Sequence, residues 1–376
     1  MNRDFRYRLD KAGNFIKFKN GKPIKPGGTG IYPVYGSNGI IGMSDEYREE
    51  NSVIIGRVGA YCGSVQFCRG RYWASDNTIV ASPKDNDTDV VFLYYVLKNA
   101  NLNRWSGGAA QPLMTQTVIK EIELPHPDIS IQRKIASILS AYDDLIENNT
   151  RRIQILEEMA QLIYREWFVN FRFPGYEKVR FVNSELGKIP EGWEVRKVGN
   201  ILEKVKRKKK VKKQNYESDG SIPVVDQGRN FIGGYTTDIE TLHSTPLPII
   251  VFGDHTRILK YVDFPFACGA DGTQLLKPNT ERMPIALFYY ALKFIDLSDF
   301  AYSRHFKFLK EKEIIIPDEQ TARLFEEMVK PLREQIKCLR DCNNNLRRTR
   351  DLLLPKLISG EIDVSNLDID IRDQEQ

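Results

Sequence analysis

Tyr32-Pro33-Val34-Tyr35-Gly36-Ser37-Asn38-Gly39-Ile40-Ile41-Gly42 and Ile222-Pro223-Val224-Val225-Asp226-Gln227-Gly228-Arg229-Asn230-Phe231-Ile232-Gly233 share one pattern. Each passes from a Pro-Val strand signal through a polar, glycine-bearing turn to Ile-Gly. The likeness continues outward in the same order. Ile54-Ile55-Gly56-Arg57 parallels Val251-Phe252-Gly253-Asp254, and Ala74-Ser75-Asp76-Asn77-Thr78 parallels Gly269-Ala270-Asp271-Gly272-Thr273. Pro83 answers Pro278, Leu93-Tyr94-Tyr95 answers Phe288-Tyr289-Tyr290, and Lys120–Pro125 answers Lys312–Pro317. Each series ends in a helix opening near a glutamine, Gln132 or Gln320. An ordered series of matches is the signature of an internal repeat.

Within each copy, β-branched and aromatic runs predict strands at Ser52–Ile55, Thr78–Ala81, Ile249–Phe252 and Glu313–Ile316. Helical spacing predicts one helix per domain, at Val90–Asn99 and Ile285–Phe294. After each domain the apolar residues step by threes and fours over a much longer span. The first stripe is Ile131, Ile135, Ile138, Tyr142, Leu145, Ile153, Leu156, Ala160, Ile163 and Trp167, with Asn149 in an apolar slot. The second is Phe325, Met328, Leu332, Ile336, Leu339, Leu346, Leu353 and Leu357, with Asn343 interrupting it. Pro331 is expected to kink this helix or mark a late start, and Pro355 to end or bend it.

Nearly 40 helical residues make a rod of roughly 55–60 Å, and a rod with one apolar stripe needs a partner. The other rod of the same chain is the nearest one, so the two are expected to lie antiparallel. Ile135, Ile138, Tyr142, Leu145, Ile153, Leu156, Leu332, Ile336, Leu339 and Leu346 would form the seam, and Asn149 and Asn343 would fix its register. The expected fold is therefore α+β: two globular α/β domains related by a pseudo-twofold repeat, joined by two long antiparallel coiled-coil helices. The boundaries read 1–127 for the first domain and 128–183 for the first helix and linker. The second domain is 184–318, the second helix 319–360, and 361–376 an acidic, disordered tail.

The 376 residues suffice for two cores, and a composition 41% hydrophobic and 28% charged is that of a globular protein. The five cysteines have neither disulfide-framework nor zinc spacing. With no signal-peptide pattern at the N-terminus and no membrane-length apolar run, a cytoplasmic location is expected. The net charge of +5 permits nucleic-acid binding without demanding it.

Charge is concentrated in Lys204–Lys213, where Lys208, Lys209 and Lys210 are candidates for phosphate contact, although the first domain has no such run. Polar residues in glycine-rich or aromatic loops are candidates for base and backbone contact. They are Ser37, Asn38, Arg57, Tyr61, Arg104, Ser106 and Gln111 in the first domain. In the second they are Gln227, Arg229, Asn230, His255, Thr256, Arg257, Ser303, Arg304 and His305. No catalytic or metal site is expected. The chain has no Asp/Glu-x-Lys element, no Pro-Pro pair and no G-x-x-x-x-G-K-[ST] loop. Asp254 beside His255 has no specified nucleophile nearby.

The repeat and the order domain–helix–domain–helix resemble the specificity subunit of Type I restriction–modification enzymes, from about Phe15 to Asp363. Gly253-Asp254-His255-Thr256-Arg257, Gly187-Lys188-Ile189-Pro190-Glu191-Gly192-Trp193 and Leu354-Pro355-Lys356-Leu357-Ile358-Ser359-Gly360-Glu361-Ile362 are particularly alike. The resemblance implies that each domain is a target-recognition domain reading one half of a split, asymmetric site in double-stranded DNA. It implies helices that space the halves and dock two methyltransferase subunits, which use S-adenosylmethionine to methylate adenine N6. Two motor–nuclease subunits using ATP and Mg would complete the complex, and this chain itself would carry no cofactor. Two departures imply that the domains read different sequences. The loop Tyr302–Phe306 lacks the Gly-rich Gln-Pro pattern of Gly107–Pro112, and the basic run has no counterpart. A stand-alone DNA-binding regulator, a protein–protein scaffold and an enzyme using Asp254 and His255 are the alternatives.

Overall fold

The computed structural model describes residues 6–25, 27, 29–107, 112–206, 208–298 and 304–369. They fall into two compact units, one within Met1–Asn149 and Cys342–Gln376, the other within Thr150–Asp341.

In the first unit, strands β1 (Ile16–Asn20), β2 (Tyr32–Gly36), β3 (Gly39–Ser44), β4 (Glu49–Gly56), β5 (Val65–Ala74) and β6 (Thr78–Pro83) form one sheet. Its order is β1-β6-β4-β5-β2-β3, and the β2–β5 pairing is parallel. Helix α1 (Val90–Asn99) follows, opened by the Asp89 carboxylate, which accepts from the Val91 and Phe92 amides. Phe92, Leu93, Tyr95, Val96 and Leu97 on α1 are fully buried in the unit's core, together with Val53, Ile55, Ile79 and Ala81 of the central strands.

A long helix, α2, spans Ile129–Phe168. The second unit then adds β7 (Ile222–Val225), β8 (Gly234–Thr236), β9 (Leu242–His243), β10 (Ile249–Gly253), β11 (Leu259–Val262), β12 (Phe266–Cys268) and β13 (Thr273–Leu276). Here the repeat's single sheet is divided into β8-β7-β12-β9 and β11-β10-β13. The shared register survives the division. Gly56 faces Thr78 in the first unit and Gly253 faces Thr273 in the second, while Val34–Trp73 and Val224–Ala267 are the matching parallel pairs. Helices α3 (Ile285–Phe294) and α4 (His305–Glu311), strand β14 (Glu313–Ile316) and the second long helix α5 (Glu319–Ser359) complete the described elements that position the site.

The two long helices pair antiparallel within each unit. In the first, Asp143 meets Arg350, and Asn149 meets Asn343. In the second, Glu157 meets Arg333, and further along α2 the rings of Tyr164, Trp167 and Phe168 pack on Phe325. As residue numbers rise on α2 they fall on α5, which is what antiparallel pairing requires.

Several sequence expectations need correction. Helix α5 runs through both prolines, so Pro331 marks no late start and Pro355 no end. Each removes one backbone hydrogen bond. Buried neighbours on both sides, Val329, Arg333 and Ile336 around the first and Leu354, Leu357 and Ile358 around the second, hold the helix across the gap. Leu145 is half-exposed and Ile146 takes its place in the seam; Met328 is likewise exposed beside buried Val329. In α5 the buried Arg333 occupies an inward slot that an apolar-only stripe passes over. Ile135, Ile336, Leu339 and Asn343 are buried, and Ile138, Tyr142, Asn149, Ile153, Leu156, Leu332 and Leu346 are half-buried. The segment after α5 is docked where it is described. Val364 is fully buried in the first core, and Lys134 donates to the Ser365 carbonyl at 2.7 Å. No helix among the described residues is long and apolar enough to cross a membrane.

Candidate nucleic-acid interface

Each unit carries the same three-loop clamp, made with different side chains. In the first, the Ser37 hydroxyl just after β2 donates to the Asn77 carbonyl at 2.7 Å and accepts from the Val58 amide at 3.4 Å. In the second, the Gln227 carboxamide just after β7 donates to the Asp271 carbonyl at 3.0 Å and accepts from the His255 amide at 3.1 Å. A second bond closes each clamp. The carbonyl of Ser37 accepts from the Ser64 hydroxyl at 2.6 Å, and that of Gln227 from the Thr256 hydroxyl at 2.7 Å.

These bonds tie the loop after the first parallel strand (β2, β7) to the loops flanking the Gly–Thr register pair. A glycine is needed at that pair's leading position. A Cβ on Gly56 would strike the Tyr61 carbonyl, and one on Gly253 the Thr256 hydroxyl. Ser64 and the carbonyl partners escape sequence reading, because nothing local marks a serine or a peptide oxygen as a clamp.

The clamp divides the sequence candidates by what their side chains do. Ser37, Gln227 and Thr256 hold loops together. Ser106 donates to the Asn103 carbonyl at 2.7 Å, and Arg257, in the left-handed region at φ 62°, donates to the Leu297 carbonyl at 3.0 Å. The Arg57 backbone is fixed on both sides, its amide donating to the Asn77 carbonyl at 2.9 Å and its carbonyl accepting from the Met114 amide at 2.8 Å, while its guanidinium reaches the Asp76 backbone carbonyl only weakly, at 3.5 Å. Exposed side chains with no hydrogen bond or ion pair to other described residues are Asn38, Tyr61, Arg104, Lys208, Arg229, Asn230, His255 and Arg304. Arg104 stacks over the half-exposed Trp105 ring. Gln111 and Ser303 lie outside the described residues.

One expectation changes. His305 is buried, not presented: its amide donates to the Asp254 carbonyl at 2.9 Å, and its Nδ1 has no partner among the described residues. Burial, with Arg257 nearby, holds its imidazole below the ordinary pKa. The Asp254 carboxylate accepts from the Phe306 amide at 2.8 Å, so it caps α4, while His255, of which no catalytic role was expected, stays exposed.

In the basic run, Lys209 pairs with Asp238 at 2.8 Å and Lys210 donates to the Thr273 carbonyl at 2.7 Å, leaving Lys208 projecting. Pairing to an exposed carboxylate takes little energy to break. Among the described residues no cluster of His, Cys, Asp or Glu has metal-binding geometry.

The sequence pattern of the Type I restriction modification DNA specificity domain matches this chain twice, at residues 11–158 and 190–345. The chain is 30% identical to the Type I restriction enzyme MjaIX specificity subunit of Methanocaldococcus jannaschii, over 76% of its own length and 72% of that protein's. It is 31% identical to the EcoprrI specificity subunit of Escherichia coli over 35% of its length and 33% of that protein's. Its fold matches the crystal structure of the S subunit of a Type I restriction–modification system from M. genitalium with a TM-score of 0.59, at 19% identity, covering 95% of this chain and 97% of that one.

Proposed function

Since this chain belongs to the family of Type I restriction–modification specificity subunits, which are non-catalytic, we propose that it reads a two-part DNA sequence, one part with each domain. The observation that carries the reading is the duplicated clamp. Two domains of one register present the same three loops, yet different side chains stand on them: Asn38 and Tyr61 on one, Arg229, Asn230 and His255 on the other. A shared scaffold with unlike polar tips is what reading two unlike half-sites needs, because bases are told apart by donors and acceptors in the groove while the backbone only positions them.

The helices α2 and α5 would set the number of unread base pairs between the halves. By the same reading, they dock two adenine-N6 methyltransferase subunits, which bring S-adenosylmethionine, and two ATP- and Mg-dependent motor–nuclease subunits, while this chain holds no cofactor. Selection from random double-stranded DNA, with the chain alone and with its methyltransferase subunit, tests the reading. The expected product is two short fixed blocks separated by a constant number of free positions. One contiguous block, or no enrichment, overturns it.

A further inference from the structure

Lys260 lies on β11 and is 3% exposed, which is unusual for a lysine. Its ammonium points under the loop that follows β7. It donates to the carbonyl of Asp226 at 2.7 Å and to that of Asn230 at 2.6 Å, and the Asp226 carboxylate lies 3.7 Å away. Two of its three donors therefore meet carbonyls and the third faces the carboxylate at ion-pair distance, all supplied by the two ends of one five-residue loop. A buried cation is retained only where its hydrogen bonds are filled, and here filling them draws the two ends of the loop together.

The loop is fixed again from its other side. Arg340 of α5 stacks its guanidinium over the rings of Phe231 and Phe264, 4.9 and 5.1 Å from their centroids, and pairs with Asp263. Asp226 is also held by the Tyr216 hydroxyl at 3.2 Å and accepts from the Gly228 amide at 2.8 Å. Between these anchors only Gly228, Arg229 and Asn230 stand between the Gln227 clamp and the Phe231 ring, and Arg229 and Asn230 are the exposed ones.

We propose that Lys260 is a positioning residue for the loop Asp226–Phe231, and that this loop determines which bases the second domain accepts. This rests on the DNA-reading function proposed above. Lys260 does not touch DNA. It holds the backbone from which Arg229 and Asn230 project, and bidentate base contacts tolerate little displacement of their root. The lysine is invisible as a functional residue in sequence, since Ile258-Leu259-Lys260-Tyr261-Val262 reads as a strand with one outward polar residue.

The test compares the wild-type chain, K260M and R340Q, each full length with its methyltransferase subunit. The measurements are selection from random DNA and amide hydrogen exchange of the free proteins. K260M is expected to speed exchange in the 226–231 segment at least tenfold. It should lower base discrimination at least tenfold in one half-site, with the other half-site and the gap unchanged. R340Q alters a partly exposed anchor, so it stays folded if K260M does not, and is expected to weaken the same half-site less. Fast exchange with an unaltered motif, or equal loss in both half-sites, overturns the proposal. If the wild type itself selects no motif, the DNA-reading function fails; unchanged exchange in both variants would even then refute the role of Lys260 as a pin.

Discussion

Asn149 donates its side-chain amide to the side-chain oxygen of Asn343 at 2.9 Å across the two long helices, and Asn343 in turn donates to the Ile146 carbonyl at 3.3 Å. Asn343 is 2% exposed, so this polar pair sits inside the seam beside Ile146. Such a pair stabilises less than leucines would. It does so in only one axial alignment, because shifting either helix buries each amide without its partner.

Replacing one member should therefore hurt more than replacing both. N343L is expected to lower stability by about 1–2 kcal/mol through the stranded Asn149 amide. N149L/N343L is expected to recover that loss or exceed wild type. Denaturant unfolding of both variants checks this; a double variant weaker than the single one would contradict it.

The cross-helix ion pair of the second unit gives a parallel case with charge. Arg333 is 6% exposed, pairs with Glu157, lies 4.0 Å over the Tyr261 ring, and touches the Tyr290 hydroxyl at 3.4 Å. Its charge is held firmly on: burial opposes ionisation, but Glu157, Tyr290 and Tyr289 outweigh it. R333M should cost roughly 3 kcal/mol, the lower end for a broken buried pair, since Glu157 keeps some solvent. R333M/E157L should return most of it in a double-mutant cycle.

Asp318 gives a pH signature. It caps α5, accepting from the Thr321 amide at 2.9 Å, the Thr321 hydroxyl at 2.7 Å and the Trp193 indole at 3.0 Å. Burial alone would raise its carboxyl, but these hydrogen bonds win and hold it below the ordinary aspartate value. A carboxyl with a depressed folded pKa contributes stability above its unfolded value, near 3.9, and loses it as pH falls through the folded one. D318N keeps a capping oxygen but loses its charge, and should cost about 1 kcal/mol at neutral pH. That difference should shrink below about pH 4. A gap that stays constant down to pH 2 would refute the assignment.

In DNA binding, the lysines of the basic run should not be equal. K208A is expected to lower the slope of log affinity against log salt by about one, with base preference unchanged. K209A should have less effect, because Asp238 and Glu240 already share that charge. Equal slopes for the two variants would show that the Lys209 pairs open fully on DNA.

R229A/N230A should relax one half-site and leave the other, and inserting one helical turn into both α2 and α5 should lengthen the gap while both halves stay the same. Altered bases with an unaltered gap would remove the spacer role from the helices.

The chain order of runs, turns and stripes determined a great deal alone. It placed α1, α3 and β14 at their observed limits, both long helices within a few residues, and the twofold repeat that pairs Gly56–Thr78 with Gly253–Thr273. These are properties of local periodicity and of repetition, which a linear sequence carries in full. Only the tertiary structure decided the choice of Ile146 over Leu145 and of Val329 over Met328, the burial of His305 and Lys260, and the capture of the Ser37 and Gln227 side chains by loop clamps. The physical reason is range. The Ser37 hydroxyl finds its acceptor 40 residues away and the Gln227 amide 44, so whether a polar side chain faces solvent or backbone is settled by which strands become neighbours. No pattern along the chain encodes that until the sheet has closed.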